Sequence, residues 1–154
     1  MSAQLQNVLI VCVMLGFALM EFATRRYQAT VRATSDDTKL ELLQFLALLA
    51  IAQPMALLVT NQLCLKFMPE QNNALAGLPW WAMFGVLLLA DDLTQYLWHR
   101  ASHSPMLWPL HRAHHTAQYM SIRVTYRNNF FYYLLMPGLW IGGVLIFLGF
   151  GKVY

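Results

Sequence analysis

Trp80-Trp-Ala-Met-Phe-Gly-Val-Leu-Leu-Leu-Ala-Asp91-Asp92-Leu-Thr-Gln-Tyr96-Leu-Trp98-His99-Arg-Ala-Ser-His103 begins as an apolar run and ends in two histidines four residues apart. Eight positions later comes His111-Arg-Ala-His114-His115, so all five histidines of the chain fall within seventeen residues. An apolar run opened by paired tryptophans predicts a helix that enters lipid. A spacing of four puts His99 and His103 on one face of that helix, one turn apart. Neutral imidazole is a common transition-metal ligand near pH 7. The polar end of the helix is therefore a candidate metal site.

The helix is expected to run from Trp80 to Ser104, because Pro105 disfavours helical geometry in the residue before it. At 1.5 Å per residue it is roughly 36 Å long, enough to cross a bilayer and emerge. Trp80 and Trp81 then mark one interface and Trp98 the other. His99 lies about 28 Å from Trp80, at the far boundary. Pro109 suits the first turn of a second helical piece, on which His111, His114 and His115 share a face. Asp91 and Asp92 come about 17 Å along the first piece, where a carboxylate is costly and calls for a partner in the bundle. Asp92, Tyr96, His99 and His103 form one stripe. Asp92 is about 10 Å from His99, too far to bond that ring. Asp92 and Tyr96 are thus candidates to orient a histidine from another element.

The rest of the chain agrees with a membrane setting. Of its 154 residues 58% are hydrophobic and 11% charged, and the mean hydropathy is +0.46. Soluble domains are about 25% charged. The expected fold class is all-α, an integral membrane protein with about four transmembrane helices and a histidine-rich helical segment at the surface. Besides the run at Trp80, apolar stretches cover Leu5 to Phe22, Leu42 to Val59 and Phe130 to Phe150. Pro54 predicts a kink in the second and Pro137 a bend in the last. The N-terminus lacks the positive flank of a secretory signal, so its apolar run is expected to be a retained helix. Residues 1–154 read as one membrane domain, with the histidine-box region at 92–116.

Charge placement orients these helices. Arg25, Arg26, Arg32 and Lys39 lie between the first and second runs, and Arg100, Arg112, Arg123 and Arg127 between the third and fourth. Only Lys66 and Lys152 lie on the other side. The positive-inside rule then puts both basic loops, and the histidines, on the cytoplasmic face of a multi-pass protein. The net charge of +3 comes from these loops, not from an aromatic-interleaved basic face, so no nucleic-acid partner is expected. Cys12 and Cys64 are isolated and form no metal-binding pair.

Two histidines four apart also suit a zinc protease, but that chemistry needs a glutamate between them, and here the residues are Arg-Ala-Ser. A bis-histidine haem would leave three rings unexplained, and purely structural hydrogen bonding stays open. Arg100 and Arg112 read as anchors that snorkel toward headgroups. Asn128 and Asn129 are near enough in sequence to face a metal, though neither is assigned a role.

The stretch from Asp92 through Tyr-Leu-Trp-His99-Arg-Ala-Ser-His103 to His111-Arg-Ala-His114-His115 resembles the fatty acid hydroxylase/sterol desaturase superfamily. Both the His-x-x-x-His and the His-x-x-His-His box are present, with the aromatic flank. The resemblance implies an integral-membrane, non-haem di-iron oxidoreductase that uses O2 to hydroxylate or desaturate a sterol or fatty acyl C–H bond. It implies His99, His103, His111, His114 and His115 as iron ligands, two irons in a complete member, no catalytic residue beyond the ligands, and electrons from a cytochrome or ferredoxin. Family members carry a third histidine box, and no histidine follows His115. The expectation is an N-terminal portion of a longer architecture. The isolated chain is expected to bind metal weakly or not at all and to be inactive. The identity of the lipid, the reaction outcome and the donor are not legible.

Overall fold

The computed structural model describes residues 12–13, 15–17, 19–24, 35–119 and 121–153. The described residues form helices and turns without a strand, as an all-α chain should. Residues 12–23 are helical where described, and half of the expected span Leu5 to Phe22 lies outside the described residues. Then come α1 (Ser35–Ala47), a π-helical turn (Leu48–Ala52) and α2 (Gln53–Phe67), joined into one rod. After a short loop follow α3 (Trp80–Ser102), α4 (Trp108–His115), a 3-10 segment (Ile122–Tyr126), α5 (Phe130–Leu135) and α6 (Pro137–Phe147).

The rod Ser35–Phe67 is the one helix among the described residues that is long and apolar enough to cross a membrane. It contains the expected second span and extends it at both ends. The π turn sits immediately before Pro54. A proline has no N–H to offer the preceding turn, and a widened turn is one way for a helix to absorb that loss. At the expected kink the helix continues with helical geometry, and the departure from regular winding is the π turn Leu48–Ala52.

α3 reproduces the expected helix to within two residues. At about 34 Å it has the length to span, but the polar residues from Asp91 to Arg100 leave it short of the apolar content. The last run departs further from expectation. Met136 is extended (φ −66°, ψ 116°) and separates α5 from α6. Pro137 disfavours helical geometry in the residue before it, so the expected bend is a complete break. Neither α5, with 6 residues, nor α6, with 11, reaches spanning length alone.

Two packing zones hold the fold. α6 lies against α2 and α3, with Ala52, Ala56 and Leu139 at the centre and Leu48, Phe130, Met136 and Trp140 around them. Small residues allow the close approach: a Cβ on Gly143 would come within 2.1 Å of Thr60 Oγ1. Gly149 ends this hairpin at φ 112°, and a side chain there would meet the Ala76 backbone at 2.8 Å. The second zone is polar. It gathers α1, the 3-10 segment and the histidine helix α4. Outward faces of the helices stay apolar, with Leu43, Leu58 and Leu89 each more than 60% exposed.

Candidate metal centre

The last turn of α3 supplies His99, and His103 caps the helix. Ser104 then turns the chain: its carbonyl accepts from the Trp108 N–H at 2.9 Å, and Pro109 opens α4. This tight connection folds α4 back toward the end of α3. Pro105 and Pro109, each barred from donating a backbone hydrogen bond, set the break and the restart.

The turn brings the two histidine pairs together. Ligand nitrogens of His99, His103, His111 and His115 all lie within 4.8 Å of one another. A metal–nitrogen bond of about 2.1 Å places opposed ligands about 4.2 Å apart, so four donors at this separation converge on the volume of one ion. The His99 and His111 rings meet edge to face at 4.4 Å between centroids, and His103 and His115 at 4.7 Å. His114 is outside this group of four but adjacent to it, 5.2 Å from both His111 and His115.

Hydrogen bonds orient two of the rings. His111 Nδ1 lies 2.9 Å from Asn128 Oδ1, and His114 Nδ1 lies 2.9 Å from the Val124 carbonyl oxygen. Both partners accept, so each Nδ1 carries the proton and each Nε2 keeps its lone pair. That is the tautomer a ligand bound through Nε2 requires. His111 Nε2 accepts from His115 Nε2 at 3.0 Å. Tyr132 stacks on His111 at 5.0 Å and 16°, and Trp108 stacks on His115 at 5.5 Å and 28°. His111 is completely buried, whereas His103 and His115 remain exposed.

Burial governs the charge of His111. It pushes His111 from 6.5 down to about 4, against the hydrogen bond to Asn128, and neighbouring histidines add to the lowering. Burial, then His114 and His103, also lowers His115. The His111 ring therefore stays neutral through the physiological range. A folded-state value below the unfolded one means the unfolded chain takes up the proton first, so stability is lost as pH falls from about 6.5 toward about 4. Ring-selective NMR titration of metal-free protein should show His111 still neutral at pH 5. A midpoint near 6.5 would contradict its burial.

The two candidate orienting residues, Asp92 and Tyr96, lie on the same helix as His99 and His103. Asp92 is exposed, and among the described residues no hydrogen bond joins it to a histidine. The Tyr96 hydroxyl accepts from Arg100 Nη1 at 2.9 Å. Tyr96 and Arg100, with Gln95, His99 and His103, line an open groove of about 540 Å³ beside the histidines. Asn128 and the Val124 carbonyl make the observed contacts. Asn128 had a weak sequence signal in its polar neighbourhood; a backbone carbonyl has none.

An all-helical protein that gathers four histidines at the junction of two helices falls in the class of candidate histidine-ligated metal proteins. Residues 84–154 match the family model for fatty acid hydroxylase. Over that segment the resemblance read from the histidine boxes is borne out. A fatty acid hydroxylase, vlmA of Lecanicillium sp, is 45% identical over 64 residues. The match covers 37% of this chain and 18% of that protein, so the chain corresponds to about a fifth of its relative's length. No solved structure matches the chain.

Proposed function

We propose that this chain carries part of the centre of a membrane-bound, O2-dependent lipid hydroxylase or desaturase, with His99, His103, His111, His114 and His115 as iron ligands. The observation that carries the reading is the convergence of four imidazole nitrogens within 4.8 Å, inside the segment that matches the fatty acid hydroxylase family. The donor set fits the group. Imidazoles whose Nδ1 proton is tied back, as at His111 and His114, present an Nε2 lone pair that suits iron without a prior proton loss. Bound iron would supply the dioxygen chemistry and electron transfer that oxidation of an unactivated C–H bond needs and that no side chain provides.

The protein's own residues prepare that chemistry. Asn128 and the Val124 carbonyl hold His111 and His114 in one tautomer. Tyr132 covers the His111 face and keeps water from it. The groove lined by Gln95, Tyr96, His99, Arg100 and His103 leaves the opposite side open. Leu89, Leu93 and Leu97, all more than half exposed on the same helix, offer an apolar approach for an acyl or sterol substrate arriving from lipid. A contiguous apolar surface of this kind supports membrane contact. The basic loops support a multi-pass topology with the histidines facing the cytoplasm, where a cytochrome or ferredoxin would deliver electrons.

The site's size supports a second reading for the 154 residues by themselves. Four donors around one ion's volume leave a second iron with His114 and whatever else reaches it, so the 154 residues by themselves would hold metal weakly at most and perform no turnover. Cells expressing the chain in its full genomic context should incorporate one atom of 18O2 into a lipid alcohol, or yield a new double bond. Expression of the 154 residues alone should yield neither. Labelled product from the short chain would overturn the inactive reading, and no product from either would overturn the oxygenase reading.

A further inference from the structure

The most heavily buried carboxylate in the described chain is far from the histidines in sequence. Glu41 on α1 is 2% exposed. Its carboxylate accepts from the Tyr119 hydroxyl and lies 3.6 Å from Arg123 Nη1 and 3.9 Å from Arg127 Nη1. Asp37, one turn earlier, pairs with Arg127 at 2.7 Å. Arg123 also donates to Thr38 Oγ1 at 2.7 Å. Both arginines are thereby fastened to α1.

Each arginine is followed directly in the chain by the residue that orients a histidine: Arg123 by Val124, whose carbonyl takes the His114 proton, and Arg127 by Asn128, whose Oδ1 takes that of His111. Arg127 reaches α4 itself, donating from Nε to the Ala113 carbonyl at 2.8 Å. The Asn129 N–H adds a bond to the Leu110 carbonyl at 3.1 Å. A buried ion cluster contributes little net stability, but removing one member leaves the others uncompensated and lets them move. We infer that Glu41 is a positioning residue for the metal centre, holding residues 121–129 through Arg123 and Arg127 so that Val124 and Asn128 fix the His114 and His111 tautomers. The metal half of this inference rests on the function proposed above; the tautomer half does not.

The test uses the chain in detergent micelles, with Glu41→Gln as the variant. In metal-free wild type the Nδ1–H protons of His111 and His114 should appear as slowly exchanging NMR resonances. In Glu41→Gln both should exchange with water while the circular dichroism of the helices is unchanged. Titration with Co2+ as the probe should show affinity lower by about 10- to 100-fold, the usual cost of losing an outer partner of a metal-bound histidine, with altered ligand-field bands. Asn128→Ala should reproduce the loss at His111 and spare His114. Should Glu41→Gln lack wild-type helicity, Glu41→Asp decides the matter: it keeps the charge but draws the carboxylate away from both arginines, so both ring protons should again exchange with water, and wild-type protection would overturn the inference. Wild-type resonances and Co2+ affinity in the folded variant would overturn the inference. Failure of wild type to bind Co2+ would overturn the metal reading instead, and the tautomer signals would still decide the role of Glu41.

Discussion

Replacing His111 by Ala is expected to abolish metal binding. Among the clustered histidines it is the only fully buried one, and Asn128 leaves its Nε2 lone pair turned to the other donors. Loss of a direct ligand should exceed the 10- to 100-fold penalty of an outer partner, so an affinity drop of more than about 100-fold is expected. The empty ring position beside Tyr132 should also cost some stability. His103→Ala separates the two effects, because that ring is exposed and its removal leaves no cavity. Metal analysis after loading, alongside a thermal melt, gives both readouts. Wild-type metal content in His103→Ala and His111→Ala would overturn the ligand assignment. For His114→Ala the same loss of iron is expected in a complete protein, although its ring lies beside the group of four.

Gly143→Ala is expected to be the most damaging small substitution in the apolar zone. The new Cβ would lie 2.1 Å from Thr60 Oγ1, 3.0 Å from its Cβ and 3.2 Å from its Cγ2. Thr60 cannot swing aside freely, because its hydroxyl donates to the Ala56 carbonyl at 2.6 Å and a branched Cβ has few rotamers in a helix. α2 and α6 must separate, and overpacking of this kind costs about 1–3 kcal/mol. The double variant with Thr60→Gly should recover part of the loss, which a double-mutant cycle of melting in detergent would measure. Additive effects would show that the two helices do not meet there.

The histidine boxes were legible because their signal is local. Spacings of three and four fix the shared face of a helix, and Pro105 and Pro109 fix where one helix stops and the next begins. Hence α3 was expected to within two residues, and four of the five proposed ligands form one group. What orients them was not legible. Asp92 and Tyr96 lie on the right stripe by periodicity, but a stripe does not say which neighbour it faces. The observed contacts come from residues 10 and 17 positions away in sequence, one of them through a carbonyl that any residue would supply. Glu41 was hidden more deeply still, since an acid at the head of an apolar run, beside Asp36, Asp37 and Lys39, shows no distant partner until the chain folds. The break at Met136 shows the same limit. Hydropathy counts apolar residues across a proline, whereas the backbone hydrogen bonds stop at it.

The rod from Ser35 to Phe67 is moored at two places, by Glu41 to the arginines and by Thr60 to Gly143. One residue added to a regular helix advances everything beyond it by about 1.5 Å and swings it through about 100°, so the two moorings share a single angular phase. Between them the exposed positions, such as Leu43 and Leu58, lie outside the core cluster. The number of residues is fixed, and the π turn is the only departure from regular winding that the interval contains.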